Sequence, residues 1–483
     1  MAALPPPPDP AASASTAPTV PPGTLRAAVR RETESVLADL AEWVRVPSLS
    51  CLPDHAVEVM RSARLLQSFF RRAGFPVVEE WPTEGLPAVY ACRPAADPDA
   101  PTVLVYSHHD VNAVIEEDWR ETAPFAGVLR EGRLHGRGAS DAKGQVLCHL
   151  WALRAWLAAT GDSAPPVTLK FLVEGEEEIG SVHLGELLER HAEALRADVV
   201  MVSDTMLWSL ERPAVCAGVR GSVSATLTVR GTRADVHNGA VAGAVGNPLT
   251  ELCRVLGALH DENGRITLDG FYDRVESPPD DERARLAGAD LDEREWTRRT
   301  GALGAPGEAG YGITERVWLR PAVEVTSLSG GHPRFPGLGV VPATATAGLV
   351  LRLVPDQRAD EVAESLREWV AARVGPGFTY ELDLPGTRSD PYATPLGHPA
   401  FRALERAVGA GRDRPVARMR NGGAAPAAQL ARALGAPVLF YGTGLLEDRW
   451  HSGDERVEVE ALAQGAETLA TWWSLLPDAL AGD

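Results

Sequence analysis

Lysine is almost missing from this chain. Of its 483 residues only Lys143 and Lys170 are lysines, and every other basic residue is an arginine. Lys and Arg total 47 against 66 Asp and Glu, a net charge of −19. That balance argues against nucleic acid and against an anionic membrane as partners. It does not point to a cationic substrate, because most of the charge lies on solvated faces. Cysteine is scarce as well. Cys51, Cys92, Cys148, Cys216 and Cys253 are scattered, odd in number and without a CxxC pair. They read as reduced, mostly buried thiols of a cytoplasmic protein, not as a disulfide framework. No apolar run approaches membrane-spanning length. The start of the chain has neither a basic stretch nor a continuous apolar core, so residues 1–23, rich in Pro, Ala and Ser, are expected to be a disordered tail and not a signal peptide.

What is present is a repeated arrangement. Four segments run through an apolar, β-type stretch and stop at a metal-ligand residue. PTVLVYS leads to His108 and Asp110, VTLKFLVEG to Glu176, Glu177 and Glu178, ADVVMVS to Asp204, and APVLFYGTG is followed by His451. Asp141 sits in the Gly-rich turn GRGASDAKG. Short apolar runs separated by helical patterns read as buried strands of a mostly parallel sheet. In such sheets ligands bind beyond the carboxyl ends of the strands. Two histidines and several carboxylates are thereby delivered to one rim, the inventory of a two-metal hydrolase.

The expected fold is α/β, in two parts of one catalytic domain with an insertion between them. Residues 24–216 carry the first part. Near Ala217 the texture changes to the alternating SVSATLTVRG, then to a helix in NPLTELCRVLGALHD with Asn247 as its cap and Pro248 at its first position. TATAGLVLRLVP is strand-like again. Residues 217–387 are read as an inserted α/β domain with an antiparallel sheet, in which 276–310 form an irregular excursion. Residues 388–483 return to the catalytic domain. Helices are expected from Val29 to Val44, over 56–73 with Gly74 as the stop, and over 143–159.

Each motif has a plainer reading beside the chemical one. His108-x-Asp110 alone is a weak signal, although a carboxylate can orient a ligating imidazole. His109 is expected to point away, since neighbours at a strand end face opposite sides. The turn holding Asp141 lacks the phosphate-loop order; its carboxylate could bridge two cations, and in isolation Asp141 could equally cap a helix. EGEEEIGS places three adjacent glutamates after a buried-looking strand. At about 4 Å and an effective dielectric near 20, each pair repels by roughly 4 kcal/mol. Solvent or a cation must relieve that. A ligand Glu next to a free Glu suits metal-assisted hydrolysis, one holding the metal and the other taking a proton from water. Two divalent cations would balance Asp141, Glu178, Asp204 and a hydroxide.

Taken together, YSHHDV, GRLHGRGASDAKG, EGEEEIGS, VSDTMLW, DVHNGAVAGAVGNPLTEL, RLVPDQ, RNGGAAP and EDRWHSGDE resemble the two-zinc aminoacylase, carboxypeptidase and dipeptidase family, and within it the carnosinase-like dipeptidases. The resemblance implies a zinc-exopeptidase-like domain with an inserted dimerisation lid. It implies two zinc ions per subunit, with manganese or cobalt as alternatives. His108 and Asp204 would bind one and Glu178 and His451 the other, with Asp141 bridging through a cis peptide to the next residue. Glu177 would be the general base that takes a proton from metal-bound water to give the attacking hydroxide, and Asp110 would orient His108. His237 would stabilise the oxyanion in a partner subunit of a homodimer. Arg352 and the Gly422-Gly423 turn would grip the substrate carboxylate. The chain departs from the family pattern at Ala142, where an acid is usual, at Asn421, which replaces an acid in a pocket loop, and at Ser107. The leading expectation is hydrolysis of dipeptides or similar small peptides with a free C-terminal carboxylate. An N-acyl-amino-acid amidohydrolase is the alternative enzyme, and a non-catalytic dimeric scaffold the alternative from another class.

Overall fold

A computed structural model of the chain describes residues 20–277, 292–332, 334–335, 337–386 and 388–481. Most of the tail expectation therefore lies outside the described residues. The first helix, Pro22–Val44, begins inside the segment read as tail, with Pro in its first turn, where the missing N–H has no helical partner to lose.

The central sheet runs in the spatial order Val77–Trp81, Ala88–Arg93, Thr168–Glu174, Thr102–His108, Val199–Val202, Val438–Phe440, Ala214–Val219 and Tyr392–Ala393. Its middle is parallel: Thr102–His108 pairs in parallel with Thr168–Glu174 and Val199–Val202, and Val438–Phe440 with Val199–Val202. The margins are antiparallel, because the hairpin of Val77–Trp81 and Ala88–Arg93 forms one edge and Tyr392–Ala393 runs against Ala214–Val219 at the other. Ala417–Asn421 adds in parallel to Ala214–Val219. The sheet is thus mixed, with the four ligand-bearing strands side by side in its parallel centre.

The apolar runs are continuous because both faces of this sheet are covered. Along Thr102–His108, Val103 and Val105 enter one core and Leu104 and Tyr106 the other. The first core holds the helices Pro22–Val44, Ala56–Arg72, Lys143–Thr160, Pro399–Gly409 and Val459–Leu480, with Trp43, Trp151, Trp472 and Trp473 buried among them. Leu184–Arg190 and Ala427–Leu434 cover the other face. Gly74, at φ +78°, lies just past the second helix, a left-handed position that glycine adopts without steric penalty.

A second sheet is antiparallel throughout, in the order Ala322–Gly330, Thr344–Leu353, Gly221–Arg230 and Thr379–Asp383. Its alternation is that of a half-buried sheet. Val223, Leu227, Leu349 and Leu351 face the helices Pro248–Gly257 and Ala359–Arg373 in a third core. Asn247 caps the first of these helices, its Oδ1 accepting from Leu249 N at 3.0 Å. Of the irregular excursion expected at 276–310, residues 278–291 lie outside the described residues, and the rest is not wholly irregular. Glu293–Thr300 is helical, started by Asp292, whose Oδ1 accepts from Glu295 N at 2.7 Å, a local cap that the high charge of the segment obscures in the sequence.

Candidate metal centre

Because the ligand-bearing strands are parallel neighbours, their carboxyl ends open on one rim. His108 closes its strand. Glu177 and Glu178 lie on the short 3-10 turn Glu177–Ile179, three residues past the strand end at Glu174. Asp204 follows Val199–Val202 by two residues, and His451 lies on the loop after Leu446–Asp448. Asp141 ends the turn before the helix Lys143–Thr160. It does not cap that helix, whose first residues receive no side-chain hydrogen bond.

These side chains converge as two ligand groups that share one member: His108, Asp141 and Asp204, and Asp141, Glu178 and His451. His108 Nε2 stands 3.2 Å from Asp141 Oδ1 and 3.6 Å from Asp204 Oδ1. His451 Nε2 stands 3.0 Å from Asp141 Oδ2 and 3.2 Å from Glu178 Oε2. The two oxygens of Asp141 therefore face opposite groups, as a bridging carboxylate requires. The peptide between Asp141 and Ala142 is cis.

The electrostatics fit a cationic occupant. Glu178 Oε1 and Asp204 Oδ1 are buried with no hydrogen-bond partner among the described residues, and an unpaired buried acceptor is costly. Burial, then Asp141, pushes Glu178 up to about 7. Burial also raises Asp204. Glu177 is held well above the carboxylate range by burial and then by Asp204. The imidazoles supply the compensating charge. Against the opposing effect of burial, Asp141 and Glu178 hold His451 up at about 11, and Asp110 and Asp141 raise His108. A divalent cation in each group would take over that role with the rings neutral.

Around the ligands the fixing contacts are visible. Asp110, fully buried, lies with Oδ1 3.3 Å from His108 Nδ1, and its two oxygens accept the backbone N–H groups of Glu177 and Glu178 at 3.3 and 3.1 Å. One carboxylate thus orients both a ligand histidine and the glutamate turn. Asn112, which the sequence reading passed over, donates to Glu178 Oε2 at 2.9 Å; its place two residues beyond Asp110 was the available signal. His109 is turned away from the cluster, with Nε2 2.9 Å from Pro87 O, and burial lowers it to about 4.

The remaining expected residues lie on the second sheet and its neighbours. Arg352 is in the strand Thr344–Leu353, on the face opposite the third core, and partly buried. No hydrogen bond or ion pair of its guanidinium occurs among the described residues. Burial pulls its pKa down, and it lies close enough to Arg220 to help depress that residue to about 10, after burial. Arg220, also missed in the sequence, donates from Nε to Gly422 O at 2.8 Å. Gly422 and Gly423 follow the strand Ala417–Asn421, and Asn421 Oδ1 accepts from Gly423 N at 2.9 Å. The glycine turn is thereby tied to an arginine neighbouring Arg352. His237, on the short strand Val236–His237, is exposed and contributes to neither ligand group.

The family model for peptidase family M20/M25/M40 matches residues 104–474. The chain belongs to that peptidase family. It is 26% identical to the beta-Ala-His dipeptidase of Rattus norvegicus over 458 residues, 90% of this chain and 91% of that enzyme. It is 27% identical to the Cys-Gly metallodipeptidase DUG1 of Saccharomyces cerevisiae over 456 residues, 90% of this chain and 93% of that one. A solved structure of the yeast dipeptidase Dug1p matches with a TM-score of 0.86 over 95% of this chain and 99% of that chain, at 24% identity, a likeness of fold. This M20 chain is a hydrolase with candidate ligands for a pair of metal ions.

Proposed function

We propose that this M20 chain hydrolyses the amide bond of dipeptides and similar small peptides that end in a free carboxylate. The observation that carries the reading is the pair of ligand groups sharing Asp141, with Glu177 beside them on the same turn as Glu178. The names of the relatives, beta-Ala-His dipeptidase and Cys-Gly metallodipeptidase, favour a dipeptide.

His108 and Asp204 would hold one divalent cation, Glu178 and His451 the other, and Asp141 both; zinc suits this donor set of nitrogen and carboxylate oxygen. A cation pair bound there would supply Lewis-acid polarisation of the scissile carbonyl and a water acidic enough to serve as nucleophile. Glu177, on the same turn as Glu178 and outside both ligand groups, would take the water's proton and return it to the leaving amine. Asp110 keeps His108 in place. Arg352, with no partner among the described residues, grips the substrate carboxylate through two parallel hydrogen bonds, and the Gly422-Gly423 turn borders that subsite. His237 donates to the oxyanion in the active site of a second copy.

A homodimer is part of this reading. The outer strand of the second sheet, Ala322–Gly330, is exposed from Glu324 onward, with Val325 and Leu328 uncovered. Such an edge is a ready surface for another chain. Residues 217–387 would then serve as lid and dimerisation domain. All five cysteines are free thiols, in keeping with a cytoplasmic location, although only Cys148 and Cys216 are buried and the expectation of mostly buried thiols does not hold; no helix among the described residues is long and apolar enough to cross a membrane.

Asn421 supports keeping a second reading, an N-acyl-amino-acid amidohydrolase. Its neutral side chain is engaged with Gly423 and offers no anion to a substrate amine. A panel of dipeptides and their N-acylated forms, with zinc, manganese or cobalt added, separates the two. Preference for the free amine supports the dipeptidase, and preference for the acylated form replaces it with the amidohydrolase.

A further inference from the structure

Four residues beyond His451 lies Glu455, completely buried and outside the ligand set. Its carboxylate is fully engaged. Oε1 accepts three backbone N–H groups from one turn, those of Gly138, Ser140 and Asp141, at 3.0, 3.1 and 3.1 Å. Oε2 accepts from Arg137 Nη1 at 2.7 Å. Arg137 is buried too, and its Nη2 donates to Ser452 O at 3.2 Å and to Ala113 O at 3.1 Å. A closed path thus runs from the backbone of Asp141, through Glu455 and Arg137, to the residue beside His451. A second tie runs parallel to it. Ser140 Oγ donates to Asp448 Oδ2 at 2.6 Å and accepts from Trp450 Nε1 at 2.8 Å.

The ligands need this tie unequally. His108, Asp141, Glu178 and Asp204 have side chains at most 8% exposed and are held by packing. The His451 side chain is 56% exposed, and its backbone stands at φ +59°, in the left-handed region that a non-glycine residue occupies only when its surroundings hold it there. Packing does not fix this ring, so the loop must.

We propose that Glu455 is a positioning residue that sets His451 against Asp141, and that it thereby governs the affinity of the group formed by Asp141, Glu178 and His451 for its divalent cation. The proposal rests on the two-cation reading above. Outer partners of metal ligands are typically worth about 10–100-fold in metal affinity, and Glu455 acts on two ligands at once.

The test is calorimetric titration of the metal-free full chain with Zn2+, for wild type, Glu455→Gln and Arg137→Lys, with the thermal midpoint of each metal-free protein measured alongside. Glu455→Gln turns a donor toward Arg137. Arg137→Lys keeps the charge but cannot reach Ser452 O and Ala113 O together. Wild type is expected to show two sites, and each variant a loss of about 10–100-fold at one of them, with hydrolysis recovering at high added zinc. Variants that melt lower but bind both ions as tightly as wild type give Glu455 a merely structural role and overturn the proposal. If Glu455→Gln does not fold, Arg137→Lys decides on the same criterion. A wild-type chain that binds no pair of ions refutes the two-cation reading itself, a separate outcome.

Discussion

Glu177 and Glu178 are adjacent on one short turn, carry the same charge and both hang from Asp110 by their backbone N–H groups. Their side chains are expected to fail in opposite ways when neutralised. Glu178 Oε2 faces His451 at 3.2 Å, while its Oε1 is buried with no partner. Glu178→Gln removes one of the two anionic donors in its group, and the amide nitrogen must turn either toward His451 or toward the cation. Metal content should fall from two toward one per chain. Glu177 belongs to neither ligand group, and Glu177→Gln preserves shape while removing the proton acceptor. Turnover should drop by roughly 10²–10⁴-fold, the usual worth of a general base, or about 3–5 kcal/mol of barrier at about 1.4 kcal/mol per tenfold. Metal content should stay near two. The assay is elemental analysis of each variant beside steady-state cleavage of a dipeptide. Glu177→Gln retaining most of its turnover, or losing metal as Glu178→Gln does, would refute the division of labour.

Further outcomes follow from other contacts. Mixing inactive His237→Ala with inactive Glu177→Gln should restore part of the activity once subunits exchange; no recovery despite proven exchange would confine His237 to its own chain. Arg352→Lys should lower kcat/KM strongly with metal content unchanged, because Lys cannot form the paired hydrogen bonds, and C-terminal amides of good substrates should be poor ones. Equal cleavage of a dipeptide and its amide would remove the carboxylate grip. His149 is buried, and that burial lowers it to about 3. Its folded pKa lies below the unfolded value near 6.5, so the unfolded state binds the proton more readily. Stability is therefore full above about pH 6.5 and is lost as pH falls from there toward 3, by on the order of a few kcal/mol. Denaturant midpoints measured from pH 7 to 4 should fall, and less steeply in His149→Gln; parallel slopes would contradict this.

Much of the centre was legible in the sequence, since parallel strands put their carboxyl ends on one side and three of them lead within four residues to a donor. His108, Asp204 and Glu178 follow from that rule alone. Asp141 and His451 stand on irregular turns and were candidates only as a carboxylate in a Gly-rich turn and a histidine some way past an apolar run; the family resemblance implied their shared metal and the bridging role. The antiparallel margins of the central sheet escaped the reading, since a continuous apolar run looks the same in either direction. The helix Glu293–Thr300 was hidden by its charge. Arg220, Asn112 and Glu455 were missed because their value lies in long-range partners: Glu455 meets Ser140 and Asp141 from more than 300 residues away along the chain. Arg352 was recognisable as a charge between apolar neighbours, but only the structure shows that no acid in the described chain pairs with it.

The central claim is that hydrolysis depends on a pair of cations held by His108, Asp141, Glu178, Asp204 and His451. Its most direct test is a titration of metal-free full-length protein with zinc, following bound metal and dipeptide cleavage together. The account predicts no cleavage without metal, saturation at two ions per chain, and full activity only as the second ion binds. Full activity in a metal-free sample, indifferent to chelator, would contradict it.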